Sequence, residues 1–223
     1  MSDVKDYSPT VYLVHHKPLA PRWEQFLCPI RVGNYNDMPD DMLSDNTGEN
    51  IAEKNKSYAE LTALYWMWKN DKTSSHIGLW HYRRWMLPRA DDYKPHTLDN
   101  IIYYKYVDWL KLGAGGSKLT ENDILQACMK NDVILPYSAQ VLVGDIEKQF
   151  LTYHPPGLLD AVYNAFDKLY PDYPSLRDFM RSNDKDIYGN MMIARRDLLD
   201  SYCSFLFPLL VEVRKDPYLD IYL

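Results

Sequence analysis

Cysteine is scarce and scattered. Cys28, Cys128 and Cys203 form neither a Cys-x-x-Cys pair nor an even-numbered disulfide framework, so a reducing cytoplasm is the expected compartment. Long apolar runs are also missing. The amino terminus, MSDVKDYSPT, lacks the apolar core of a signal peptide, and no stretch approaches the roughly eighteen uninterrupted apolar residues of a membrane span. Neither secretion nor membrane spanning is expected. Positive charge is not in excess: 25 Lys and Arg stand against 31 Asp and Glu, a formal net charge of -6. That balance argues against a generic nucleic-acid binder, whose affinity rests on neutralising many phosphates. Without a His-Glu-x-x-His motif or a Cys/His cluster, zinc hydrolysis has no support, and no metal site is assigned. The Gly-rich stretch GAGGSK lacks the spacing of a phosphate loop and follows a predicted helix, so it reads as a linker.

What is present is ordinary globular material. A chain of 223 residues with 46% hydrophobic and 25% charged residues can bury a sizeable core, and one domain over 1–223 is expected, with residues 1–9 as a flexible amino terminus. Nineteen tyrosines and six tryptophans supply core volume and rings able to stack on sugars.

Strands and helices alternate along the sequence. TVYLVH (10–15) reads as a buried strand stopped at Lys17-Pro18, and residues 34–50 read as a long polar loop. Ser57 and Glu60 have capping-box spacing ahead of a helix reaching about Asn70. HIGLW (76–80) is a second strand. Helices follow over 97–112 and 120–131, then a strand at DVIL (132–135). Further helices are expected over 157–170 and from Pro174, a strand over 188–194, and a last helix over 196–214 kinked at Pro208. The pattern predicts an α/β sheet flanked by helices.

In such sheets ligands sit beyond the carboxyl ends of the strands. Those ends carry His15-His16-Lys17 and His81-Tyr82-Arg83-Arg84. A guanidinium is always charged and its planar fork matches phosphate oxygens, so Arg83 and Arg84 are candidates to neutralise a diphosphate. Strand alternation puts one of the two on the same face as His81, namely Arg83. The loop DNTGENIAEKN (45–55) gathers carboxylates, amides and a lysine just before a helix, where backbone N–H groups converge. Asn55 or Ser57 as caps, and Glu60 as the other half of a capping box, are the structural readings there. Asp184-Lys185-Asp186 has the spacing of a carboxylate pair that holds a divalent ion, but it precedes a strand instead of following one.

The stretches HKP, DNTGENIAEKNKSYAELTALYWMWKN, IGLWHYRRWM, DVILP and YGNMMIARRDLLDSYCSFLFPLL together resemble a bacterial family of capsular and exopolysaccharide biosynthesis glycosyltransferases, formerly a domain of unknown function. The similarity runs from Val11 to about Val213. It implies a GT-A-like nucleotide-binding sheet and transfer of a hexose, with galactose or galactofuranose the candidates, from a nucleotide sugar (a UDP-sugar favoured) to a growing or lipid-linked glycan. The setting it implies is the cytoplasm, with peripheral contact at the inner face of the membrane or with polysaccharide assembly proteins. By the same likeness His16 and Lys17 lie near the nucleotide, and Asp45, Asn46, Thr47, Gly48, Asn50, Lys54 and Asn55 line the donor site beside Tyr82. His81 and Arg83 take the place of the metal-binding Asp-x-Asp, which implies catalysis without manganese, magnesium or manganese being the open alternative. Family members continue past the last helix, so the sequence is expected to lack a carboxy-terminal segment. For deprotonating the acceptor hydroxyl, Asp45 and His154 are the nominated bases. The rival readings are a non-catalytic sugar-nucleotide-binding partner of a polysaccharide complex and a nucleotide-sugar hydrolase.

Overall fold

The computed structural model describes residues 7–17, 26–33, 39, 41–82, 120–136, 138–187 and 189–221. Arg83 and Arg84 and the helix expected over 97–112 lie outside the described residues. The described residues group into two compact units, the first drawing on residues up to 82, 120–136 and 189–200, the second on 138–187 and 201–221.

The first unit is built on a six-stranded mixed sheet. Its strands are β1 (Pro9–His15), β2 (Leu27–Arg31), β3 (Leu43–Ser44), β4 (His76–His81), β5 (Val133–Ile134) and β8 (Met192–Arg195). They lie in the order β3-β2-β1-β4-β8-β5. β1 pairs in parallel with β2 and β4, and β2 with β3, while β8 runs antiparallel to both β4 and β5. The α/β sheet predicted from the alternation of elements is therefore present.

β1 begins at Pro9, and the Ser8 N–H donates to Ser75 Oγ at 2.8 Å, so order reaches into the amino terminus expected to be flexible. β2 is not predicted from the sequence, because Pro29 removes a ladder donor. The register explains its tolerance: β3 pairs only with Ile30 and Arg31, so Pro29 lies beyond that contact. The expected loop over 34–50 contains β3, a strand of only two residues.

The helix expected to start from a Ser57/Glu60 capping box is split. A one-turn helix α1 (Asn55–Tyr58) ends at Ala59, and α2 (Leu61–Asn70) starts afresh with Glu60 as its N-cap, without a side-chain capping bond. Ala59 has φ +46° and ψ -128°, a left-handed conformation that breaks helical continuity, so Ser57 falls inside α1 and the box never forms. α2 buries Thr62, Ala63, Leu64 and Met67 and reaches the sheet through Trp66, whose ring meets Tyr12 edge-on at 6.1 Å. Its carboxyl end is closed by Arg196, which donates to the carbonyls of Trp68, at 2.7 Å, and Asp71. Helix α3 (Glu121–Lys130) carries the predicted capping box between Thr120 and Asp123 and buries Ile124 and Cys128. Leu64, Ile77 and Leu79 are fully buried, each burial worth about 1.5–3 kcal/mol.

The second unit holds β6 (Ala139–Gln140) and β7 (Lys185–Asp186), an antiparallel pair, with helices α4 (Ile146–Tyr153), α5 (Pro156–Leu169) and α6 (Leu176–Ser182). α7 (Arg196–Val213) gives its first residues to the first unit and the rest to the second, with Pro208 in its interior. Ala161, Ala165, Phe166, Leu209, Val213 and Leu219 form the core of this unit, with Tyr170 stacked on Phe205 at 4.5 Å. α6 is capped by Ser175, one residue beyond the predicted start at Pro174.

Candidate functional site

Because β1 to β4 run parallel, their carboxyl ends lie at one edge of the sheet. The registers His15↔Arg31 and Arg31↔Ser44 set those three residues in a row, and the Tyr82 N–H donates to the Val14 carbonyl at 3.1 Å, placing Tyr82 beside His15. The edge therefore collects His15, His16, Arg31, Ser44, Asp45, His81 and Tyr82 from strands far apart in sequence.

Three rings pack there. Tyr82, 5% exposed, stacks on His15 with 5.4 Å between centroids, and His16 meets it edge-on at 5.1 Å, with Tyr82 Oη and His16 Nε2 3.5 Å apart. His15 is buried, and burial, with the neighbouring His16 charge second, pulls its pKa down to about 4, so it is neutral at physiological pH. His16 and Lys17 are exposed.

The end of β3 leads into the polar loop. Asp45 is fully buried, its N–H donating to the Arg31 carbonyl at 3.2 Å. Most amides of the loop fold it onto itself and onto α2. Ser44 Oγ donates to Asn46 Oδ1 at 2.6 Å, Thr47 Oγ1 to the Ser44 carbonyl at 2.8 Å, and Trp66 Nε1 to Thr47 Oγ1 at 3.0 Å. Asn50 closes on the Gly48 carbonyl at 3.0 Å and accepts from the Ala52 N–H at 3.2 Å. Asn70 clamps both the N–H and the carbonyl of Glu49. Gly48, at φ +56°, sits where a Cβ would run into Asn70, so glycine is required there by the turn itself. Lys54 ends the short 3-10 turn Ala52–Lys54 and lies 5.9 Å from the centre of the Tyr58 ring.

Asn55 has a different task. Its amide donates to the Ala59 carbonyl at 2.9 Å and to Thr62 Oγ1 at 3.0 Å, pinning the left-handed residue from both sides. Gly33, itself at φ +75°, leaves the space that the Asn55 side chain fills.

The held turn presents Glu60. Its Oε1 lies 3.7 Å from His81 Nε2 and accepts a hydrogen bond from Asn190 Nδ2 at 2.8 Å. The sequence alone assigns Glu60 a capping role only and does not single out Asn190. The contact joins residues 130 positions apart, so no local signal exists to find it.

Two groups singled out in the sequence belong to the second unit. His154 belongs to the second unit, exposed at the end of α4 with its ring 4.4 Å from Phe150. Asp184 and Asp186 are also in that unit, where the Asp184 carbonyl accepts from Val141 N–H at 2.8 Å and Asp186 Oδ1 accepts from the Ile187 N–H at 2.7 Å. Among the described residues no group of three or more His, Cys, Asp or Glu side chains is arranged to hold a metal ion. No helix among them is long and apolar enough to cross a membrane.

Residues 10–222 match the family described as a domain of unknown function, DUF4422. The chain belongs to this family. No protein with a curated description matches the sequence. Among solved structures, this DUF4422 chain is similar to the bifunctional glycosyltransferase WbbM in its apo form, with a TM-score of 0.77 and 26% identity over 93% of the chain. The chain spans 37% of the length of that protein.

Proposed function

We propose that the chain is a glycosyltransferase whose sheet edge binds a nucleotide-sugar donor. The observation that carries this reading is the likeness to a glycosyltransferase structure over nearly the whole chain. The convergence of polar groups at the carboxyl edge of parallel strands, the usual ligand position of open α/β sheets, supports it independently.

In the proposed reaction the bond between the donor's anomeric carbon and the diphosphate oxygen breaks, and the electron pair leaves with the nucleoside diphosphate. The acceptor hydroxyl oxygen bonds to that carbon and its proton passes to a base. Arg83 and Arg84, with His81, neutralise the charge growing on the diphosphate, an electrostatic role that asks for no metal. His16, Lys17 and Tyr82 lie toward the nucleotide. The loop from Asp45 to Asn55 acts as a shaped wall, because Asn46, Thr47, Gly48, Asn50 and Asn55 are engaged in holding its form. We further propose a GT-A-like arrangement, a UDP-hexose donor, a lipid-linked glycan acceptor and a cytoplasmic setting in surface polysaccharide synthesis.

Mass spectrometry of glycan acceptors incubated with the protein and a panel of nucleotide sugars tests the proposal. Growth of an acceptor by one sugar residue, with release of nucleoside diphosphate, is the expected result. Free sugar formed at the same rate without acceptor would make the protein a hydrolase, and donor binding without either product would make it a non-catalytic partner.

A further inference from the structure

Glu60 and His81 are each about one-fifth exposed, at 20% and 22% of their side-chain surface. Both are therefore partly withdrawn from water yet reachable by a ligand. Glu60 is brought to His81 by a costly backbone: Ala59 occupies a left-handed conformation that a residue with a Cβ avoids, and Asn55 holds it there. Asn190 then fixes the carboxylate oxygen that faces the imidazole. Three separate chain segments thus converge on one charge relationship.

We propose that Glu60 is a positioning residue that sets the charge of His81, keeping it an imidazolium across neutral pH so that it acts as a cation toward an anionic ligand. An opposite charge within about 4–6 Å favours the protonated imidazole; withdrawal from water acts the other way, as at His15, and at one-fifth exposure it is weaker here than at a fully buried ring. The titratable rings of His15 and His16 pack against Tyr82, the next residue in the chain. His15 stays neutral at this pH, and a charge on exposed His16 opposes the effect of Glu60 through the longer path. The ligand class is a nucleoside diphosphate or its sugar ester, and that part rests on the proposed transferase reading.

The test follows the imidazole itself. Histidine ring resonances of the full chain are titrated by NMR, with His81→Asn identifying the signal. The expected result is a His81 pKa about one unit above the ordinary ~6.5, returning to 6.5 or below in Glu60→Gln and partly in Asn190→Ala, which frees the carboxylate without removing it. A wild-type value at or below 6.5, or a value unmoved in both variants, overturns the proposal. Should Glu60→Gln fail to fold, the direction of the Asn190→Ala shift decides alone. UDP binding measured in parallel separates the two claims. Affinity is expected to fall about tenfold between about pH 6 and pH 9 in wild type and to lose that slope in His81→Asn. If His81 titrates as expected and UDP binds at no pH, the charge pair stands and the transferase reading falls.

Discussion

The His15 imidazole lies nearly parallel to the Tyr82 ring, 28° between planes, with the histidine 1% exposed. Its pKa of about 4 lies below the unfolded value of ~6.5, so the unfolded chain takes up the proton first. Stability from this group is complete above about pH 6.5 and declines as pH falls, the loss being finished below about pH 4 and amounting to on the order of 3 kcal/mol. His15→Phe keeps a ring against Tyr82 and removes the titration. Urea unfolding at pH 7.5 and 4.5 should show a smaller acid loss in the variant, and equal losses would contradict this reading.

Asp71 organises the opposite end of α2. Its carboxylate accepts from Tyr12 Oη at 2.9 Å, Ser74 Oγ at 2.6 Å and the backbone N–H groups of Thr73 and Ser74. Burial alone would raise its pKa, but the hydrogen bonds from Ser74, Thr73 and Tyr12 together outweigh it and hold the carboxyl below its usual range. The contribution is present above the ordinary carboxylate pKa of ~3.9 and is lost as pH falls through the lower folded value. Tyr12→Phe should cost about 1 kcal/mol and Asp71→Ala about 2–4 kcal/mol, because several buried donors lose their acceptor at once. Denaturant melts give both numbers, and a neutral Asp71→Ala would remove this network from the account of stability.

Backbone strain at Ala59 makes a prediction of opposite sign. Glycine tolerates φ +46° without a Cβ clash, so Ala59→Gly should stabilise the fold by about 1 kcal/mol, where most alanine-to-glycine changes destabilise. Gly33→Ala should cost about 1–3 kcal/mol, since it adds strain at φ +75° and collides with the Asn55 side chain that pins Ala59. Thermal unfolding of the two single variants reads out both signs. Destabilisation by Ala59→Gly would mean that the left-handed turn carries no strain.

These same residues show where sequence reasoning reaches and where it stops. β1 and β4 are legible because TVYLVH and HIGLW are apolar runs with clear ends, and the carboxyl edge follows from their direction. β2 is hidden by Pro29, whose cost vanishes only once the short pairing with β3 is known. The Ser57/Glu60 spacing is a valid helix signal in isolation; it fails because Asn55, Gly33 and Thr62 together enforce a turn at Ala59 that no local propensity favours. At the site, His16 and His81 are legible from strand ends and Asp45 from the polar loop ahead of a helix. Their partners Glu60 and Asn190 are not, since only the folded sheet brings them together.

Chelation should leave the protein's chemistry intact. If His81 and the adjacent arginines stabilise the leaving diphosphate, activity in excess EDTA should stay within about twofold of the untreated rate, while His81→Ala should lower kcat by about 100–1,000-fold, as removal of a preorganised donor does elsewhere. Complete loss of turnover in chelator, restored by manganese, would refute the metal-free part of the proposal.

The most direct test of the central claim is a thermal-shift screen of purified protein against uridine, guanosine and thymidine diphosphate sugars, with Arg83→Ala alongside. One donor class should raise the melting temperature, since a ligand at about a hundred times its Kd adds about 2.7 kcal/mol of stability, and the arginine variant should lose the shift. A wild-type protein that no donor stabilises, even at millimolar concentration, would contradict the assignment of this sheet edge to a nucleotide sugar.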